Sequence, residues 1–161
     1  METNMRMMIS AAALLMAATG AMAAPPSAAD RAALENLARE SDRDWDAKAL
    51  DSFTLHHTPD GSVRIAGAPA IVGEAALRAY FGRAFGNRPD GFRHVSTLEG
   101  VEMLDPNTAV ADTYVRVERR QPDGSWALQR DFRTYSVVVR SNGEWKLRSV
   151  RASPLPPKPA S

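Results

Sequence analysis

The stretch Arg130–Ser153 reads RDFRTYSVVVRSNGEWKLRSVRAS, and its reading decides the fold. Two segments rich in Val, Phe, Tyr and Trp flank Ser141-Asn142-Gly143-Glu144. Asn-Gly is the strongest short hairpin signal, because a type I′ turn needs φ > 0 at both central residues. Val137-Val138-Val139 puts apolar side chains on both alternating faces, so this strand should be covered on both sides. A long, doubly covered strand near the C-terminus is the centre of a sheet, and the preceding chain has to supply its covers.

Immediately upstream the pattern keeps a period of two. Ala109–Arg120 alternates cleanly, and Arg93–Leu104 carries Val95, Thr97, Val101 and Met103 on one parity. Asp105-Pro106-Asn107-Thr108 and Pro122-Asp123-Gly124 supply the turns between them. Before Phe92 the period becomes helical. Leu34, Leu37, Ala38, Ser41 and Trp45 form one stripe of an amphipathic helix of about four turns, with Asp30 as its N-cap or first-turn acid. Ala47–His57 continues as a second, short helix that Thr58-Pro59-Asp60-Gly61 stops. Ser62–Ala66 is a short strand, and Gly67–Gly73 a connection. Glu74–Phe85 is the third helix, with Leu77, Tyr80, Phe81, Ala84 and Phe85 on one side. Helices first, one short strand among them, then an antiparallel meander is an α+β layout. The expected form is a cone-shaped, curved antiparallel sheet with three N-terminal helices packed on its concave face around an internal pocket.

The ends of the chain read differently. Arg6 precedes an apolar run from Met7 to Ala18, and Ala21-Met22-Ala23 is an A-x-A cleavage signal. Residues 1–23 are therefore expected to be a secretory signal peptide and 24–29 a linker, with the domain over 30–153. Residues 154–161, with four prolines, should be a disordered tail. Export places the mature chain in the periplasm or outside the cell. It has no cysteine, so the core must hold the fold without disulfides. Roughly 130 folded residues are enough for that. A net charge of +1 gives no support for nucleic-acid binding, or for a membrane role after cleavage. The region before Thr108 is acidic and the sheet region after it basic, so the sheet either has solvated outer faces or presents Arg to an anionic ligand.

The helix ending in Trp45, the strand SVRIAG (62–67), the helix GEAALRAYF (73–81) and the strands NTAVADTYVRV (107–117) and FRTYSVVVRSNGEWKLRSVRA (132–152) together resemble a nuclear-transport-factor-2-like domain. The resemblance covers roughly residues 30–153, in the SnoaL-like and ketosteroid-isomerase-like branch, among small exported domains. Its best motif is the final hairpin with Gly143, Trp145 and Lys146. It implies a cone fold with chemistry inside the cone; no cofactor is expected, and on the histidine spacing given below no metal. Two of the family's reactions do not carry over. Ketosteroid isomerases place a carboxylate base on the strand that corresponds to Ser62–Ala66, which has no acid. The epoxide hydrolases of this fold use an Arg-x-Asp pair on a strand, and no strand here has one.

The alternation of Ala109–Arg120 leaves two faces: Ala109, Ala111, Thr113, Val115 and Val117 on one, and Asp112, Tyr114 and Arg116 on the other. Matching the isomerase pattern turns Asp112, Tyr114 and Arg116 into the cavity, with Arg116 anchoring a carboxylate or enolate. Parity alone does not choose the face, and the alternative is that this row is solvated. Trp45, His57 and Tyr80 complete the candidate ligand-binding set. His56 and His57 point about 100° apart on a helix, so only one enters the pocket. The three histidines lack metal-ligand spacing. Three functions remain open: a pocket that binds a small, largely apolar and anionic ligand; a cofactor-free isomerase or cyclase with an acid–base pair in the cone; or a dimeric accessory protein. A homodimer is expected in any case, because one domain's helices cover only one face of the sheet and leave Tyr135, Val137 and Val139 on the other.

Overall fold

The computed structural model describes residues 25–155. The expected signal peptide, and the tail beyond Leu155, lie outside the described residues. Helix α1 spans Ala28–Asp46 and α2 Leu50–Leu55; strands β1 (His57–Ile65) and β2 (Ile71–Val72) precede α3 (Glu74–Asn87). The meander follows as β3 (Phe92–Asp105), β4 (Thr108–Arg120), β5 (Trp126–Ser141) and β6 (Glu144–Pro154). Ser27 caps α1 by accepting from the Asp30 amide at 3.0 Å, and Asp30 takes the first-turn position. The Asn142-Gly143 hairpin forms as expected, with φ of 52° and 84°.

The six strands run in the order β2-β1-β6-β5-β4-β3. Here the structure corrects the expectation of an all-antiparallel sheet. β1 pairs with β6 in parallel, from His57 opposite Leu147 to Ile65 opposite Ala152. β1 is also longer than Ser62–Ala66, because Pro59 and Gly61 are absorbed by an irregular register between His57 and Ser62 instead of breaking the chain. Gly61 is needed there: a Cβ would meet the Thr58 carbonyl oxygen at 2.8 Å. The second helix accordingly stops at Leu55, and His57 is a strand residue, not a helical one.

Helix α1 packs on β3 and β6, and α3 on β1 and β2. Two carboxylates fix α1 to the sheet edge. The amide of His94 donates to Asp46 Oδ1 at 2.8 Å, and the amide of Ser96 donates to Asp42 Oδ2 at 2.7 Å. Four helical residues rise about 6 Å and two strand residues about 6.6 Å, so acids spaced i,i+4 match alternate amides of an edge strand. These two edge amides of β3 are thereby satisfied and closed to other chains.

The apolar core falls into two clusters. One gathers Leu34, Leu98, Met103, Ala109, Ala111, Val138 and Trp145, between α1 and the middle of the sheet. The other gathers Phe53, Val63, Leu77, Phe81 and Phe85, around α2, α3 and β1. Members of both line one cavity that lies between them.

Candidate ligand-binding site

The cavity has a volume of about 610 Å³. Its floor comes from β4, whose Ala111, Thr113 and Val115 face it; Ala111 and Val115 are buried. The opposite parity of that strand faces away, so the placement of Asp112, Tyr114 and Arg116 inside the cavity is corrected. Tyr114 donates to Asp131 Oδ2 at 2.7 Å, which holds the phenol above its usual pKa. Arg116 pairs with Glu118 at 3.1 Å, and Glu118 also takes Arg93 at 2.7 Å. Asp112 lies across the strand pair from Gly100. The physical reason is burial: the strand turns its small and β-branched side chains inward and leaves the charged row to form ion pairs on the outside. An acid–base pair between Asp112 and a cavity histidine is excluded by the same parity.

The other three expected residues do line the cavity: Trp45, His57 and Tyr80. Of the adjacent histidines it is His57 that reaches the cavity wall, while His56 pairs with the buried Asp44 at 2.9 Å. His57 sits against Phe53 and Phe81, with ring centroids 5.8 and 6.0 Å away. Burial lowers its pKa to about 4, with the Phe53 carbonyl opposing and His56 reinforcing the shift. His57 is therefore a neutral imidazole at physiological pH.

The polar end of the cavity was not legible as such. Trp45 stacks on His94 with centroids 3.5 Å apart and planes 14° from parallel, and the Arg88 guanidinium lies 3.6 Å from the indole centroid. Two groups so close to one centroid cannot share a face, so the indole is sandwiched between cation and imidazole. Burial, then Arg130 and Arg88, lower the His94 pKa to about 3. Asp42 also lines this end. Its burial raises the carboxyl pKa and outweighs the two bonds from Ser96.

Most buried polar groups in folded chains have partners. Among the described residues, the buried side-chain atoms without one include Ser41 Oγ, His57 Nδ1, His94 Nε2, and Nε and Nη1 of Arg88. All four residues line the cavity. Sequence did hold one signal for this end: a serine, Ser41, inside the otherwise apolar stripe of α1. The three histidines do not converge, and among the described residues no group of three metal-ligating side chains does.

A family model described as a SnoaL-like domain matches residues 26–151. A protein of unknown function with a cystatin-like fold from Nostoc punctiforme PCC 73102 superposes with a TM-score of 0.72 at 19% identity, over 84% of this chain and 98% of that one. A nuclear-transport-factor-2-like protein with a cystatin-like fold from Novosphingobium aromaticivorans gives 0.67 at 20% identity, over 81% and 85%. A ketosteroid isomerase-like protein from Erwinia carotovora atroseptica SCRI1043 gives 0.62 at 16% identity, over 78% and 96%. No curated protein matches the sequence.

Proposed function

The chain belongs to the SnoaL-like domain family of the nuclear-transport-factor-2-like superfamily, and on that footing we propose that it is a binding protein for a small, largely apolar ligand held in the cone. The cavity carries this reading: about 610 Å³, walled by both core clusters, with unpartnered polar atoms on four of its residues. That volume is in the usual range for small-molecule sites, and the mixture of apolar wall and few polar groups is their usual make-up. Neutral His57 and His94 suit hydrogen bonding to a ligand better than proton abstraction, since bases with pKa near 4 and 3 take protons weakly at neutral pH.

Thermal-shift screening of the purified protein against a metabolite library tests the reading, with Thr113→Trp as a variant that fills the cavity from its floor. Apolar compounds should raise the melting temperature of the wild type and not of the variant. No response to any apolar compound, or equal responses in both proteins, would refute it.

One observation favours the second reading, cofactor-free isomerase or cyclase chemistry. Asp42 is a carboxyl inside the cavity whose pKa burial raises towards the range useful for proton transfer. Turnover that Asp42→Asn abolishes while ligand binding persists would select this reading. Two further proposals concern the whole chain. It is exported to the periplasm or beyond, on the strength of Arg6, the apolar run and Ala21-Met22-Ala23. It also forms a homodimer through the outer face of the sheet, where Tyr135 is 45% exposed beside half-buried Val137 and Val139.

A further inference from the structure

We infer that the ligand carries a single carboxylate, seated at the end of the cavity where Arg88 and Arg130 meet Trp45; the inference rests on the apolar-ligand reading above. Three side chains that are charged at neutral pH in ordinary surroundings turn towards the cavity: Asp42, Arg88 and Arg130. The acid is occupied. Asp42 takes both the amide and the hydroxyl of Ser96, while the Asp131 carboxylate lies on the outer face of the sheet opposite Arg116, where it takes the Tyr114 phenol. The two cations are not. Among the described residues neither arginine has an acid within salt-bridge distance, and the Arg130 side chain makes no hydrogen bond. Arg88 makes one bond, from Nη2 to the Asp46 carbonyl oxygen at 3.1 Å, while its Nε and Nη1 are buried and without partners.

A buried guanidinium with free donors is costly, and a ligand oxyanion relieves that cost. The two cations act on one place, because both depress the pKa of His94. Trp45, Arg88 and Arg130 also line a second hollow of about 280 Å³, together with Pro89, Phe92, Val117 and Gln129. The Arg88–Trp45–Arg130 wall thus lies between the large apolar cavity and this smaller hollow. A molecule with its apolar body in the cavity places its polar head at this wall. The acids nearby set the charge of that head. Asp46 and Asp90 bear on Arg88, but Asp90 is paired with Lys48 at 2.7 Å, so the two guanidinium charges exceed the remaining acid by one, enough for a monoanion and not for a phosphate dianion.

Matched pairs separate this inference from the reading it rests on. Naphthalene-2-acetic acid and its primary amide, and decanoic acid and decanol, would be titrated calorimetrically at neutral pH and low salt. The proteins are wild type, Arg88→Gln, Arg130→Gln and the double variant. In wild type each acid should bind roughly tenfold or more tighter than its neutral partner, as a charge-assisted bond implies. Either single variant should narrow that preference and the double variant abolish it. The readout is the acid-to-neutral affinity ratio within each protein, and a cooperative melting curve shows that each variant remains folded. Because Arg130 is exposed, its variant keeps the test open if Arg88→Gln fails to fold. Neutral partners that bind wild type as tightly as the acids overturn the carboxylate inference and leave the apolar cavity standing. A preference for acids that survives in the double variant overturns the assignment to these arginines. Failure of all four compounds, neutral and acidic, overturns both.

Discussion

Acidification from pH 7 to pH 5 should cost the protein about 1.8 kcal/mol of stability through His57 alone. Folding lowers the pKa of this imidazole from 6.5 to about 4, so the unfolded chain binds the proton first. Stability contributed by a neutral buried histidine is complete above the unfolded value and is lost as pH falls towards the folded one. At pH 5 protonation stabilises the unfolded chain by about 2.1 kcal/mol, against about 0.2 kcal/mol at pH 7 and less than about 0.1 kcal/mol for the folded chain at pH 5. The window lies above the folded value, so the result barely depends on how far below 5 that value falls. His94, lowered to about 3, adds a similar amount for the same reason. Asp42 and Asp46 work in the opposite direction, since burial raises both and the folded chain then holds their protons more tightly. The contribution of His57 is therefore read from a difference between proteins. Urea unfolding followed by tryptophan fluorescence at pH 7, 6 and 5 would compare wild type with His57→Phe, which keeps an aromatic ring beside Phe53 and Phe81. The variant should lose about 1.8 kcal/mol less than wild type over this interval. An unchanged pH dependence, or a His57 ring resonance titrating near 6.5, would refute the reasoning.

Two other expectations concern the chain as the cell handles it. Mass spectrometry of the exported protein should find a chain that begins at Ala24 or within a residue or two, and intact membrane-bound chains starting at Met1 would overturn export. Light scattering at micromolar concentration should give the mass of a dimer, and Val137→Lys should shift it to monomer by placing a charge on the outer face of β5; a wild-type monomer would end that proposal.

Much of the architecture was legible because two periods are present in the sequence and each lies in its own part of the chain. The hairpin at Asn142-Gly143 needed only its turn chemistry, and both residues adopt the positive φ that chemistry demands. What escaped was produced by irregularity. Parity extrapolated along Arg93–Leu104 put Val95 and Thr97 with Val101 and Met103. The register shift between Leu98 and Gly100 splits them, so that Met103 joins the core and Thr97 is exposed. A bulge moves every later side chain to the other face, and nothing in local composition announces it. The parallel pairing of β1 with β6 escaped for a related reason. Pro59 and Gly61 carry the ordinary signature of a turn, and only contacts with a strand ninety residues later, from His57 to Leu147, make them part of an irregular strand.

The site was harder to read than the fold because its residues are placed by long-range geometry. Trp45 could be found from helical spacing, since an aromatic ring on the apolar stripe of α1 must face the sheet. Arg88 sits just past the end of α3, where an arginine ordinarily reads as solvated. Its role depends on the indole that it covers, 43 positions earlier in the chain. Asp42 and Asp46 look like ordinary exposed helix acids. Their four-residue spacing acquires meaning only beside an edge strand whose amides repeat at nearly the same distance. That match locks the helix axis to β3 and so brings Trp45 against His94. The anchoring of the sheet edge and the shape of the polar end of the cavity are thus one device. Breaking the Asp46 bond loosens the floor under the Trp45–Arg88 stack as well as exposing an edge amide.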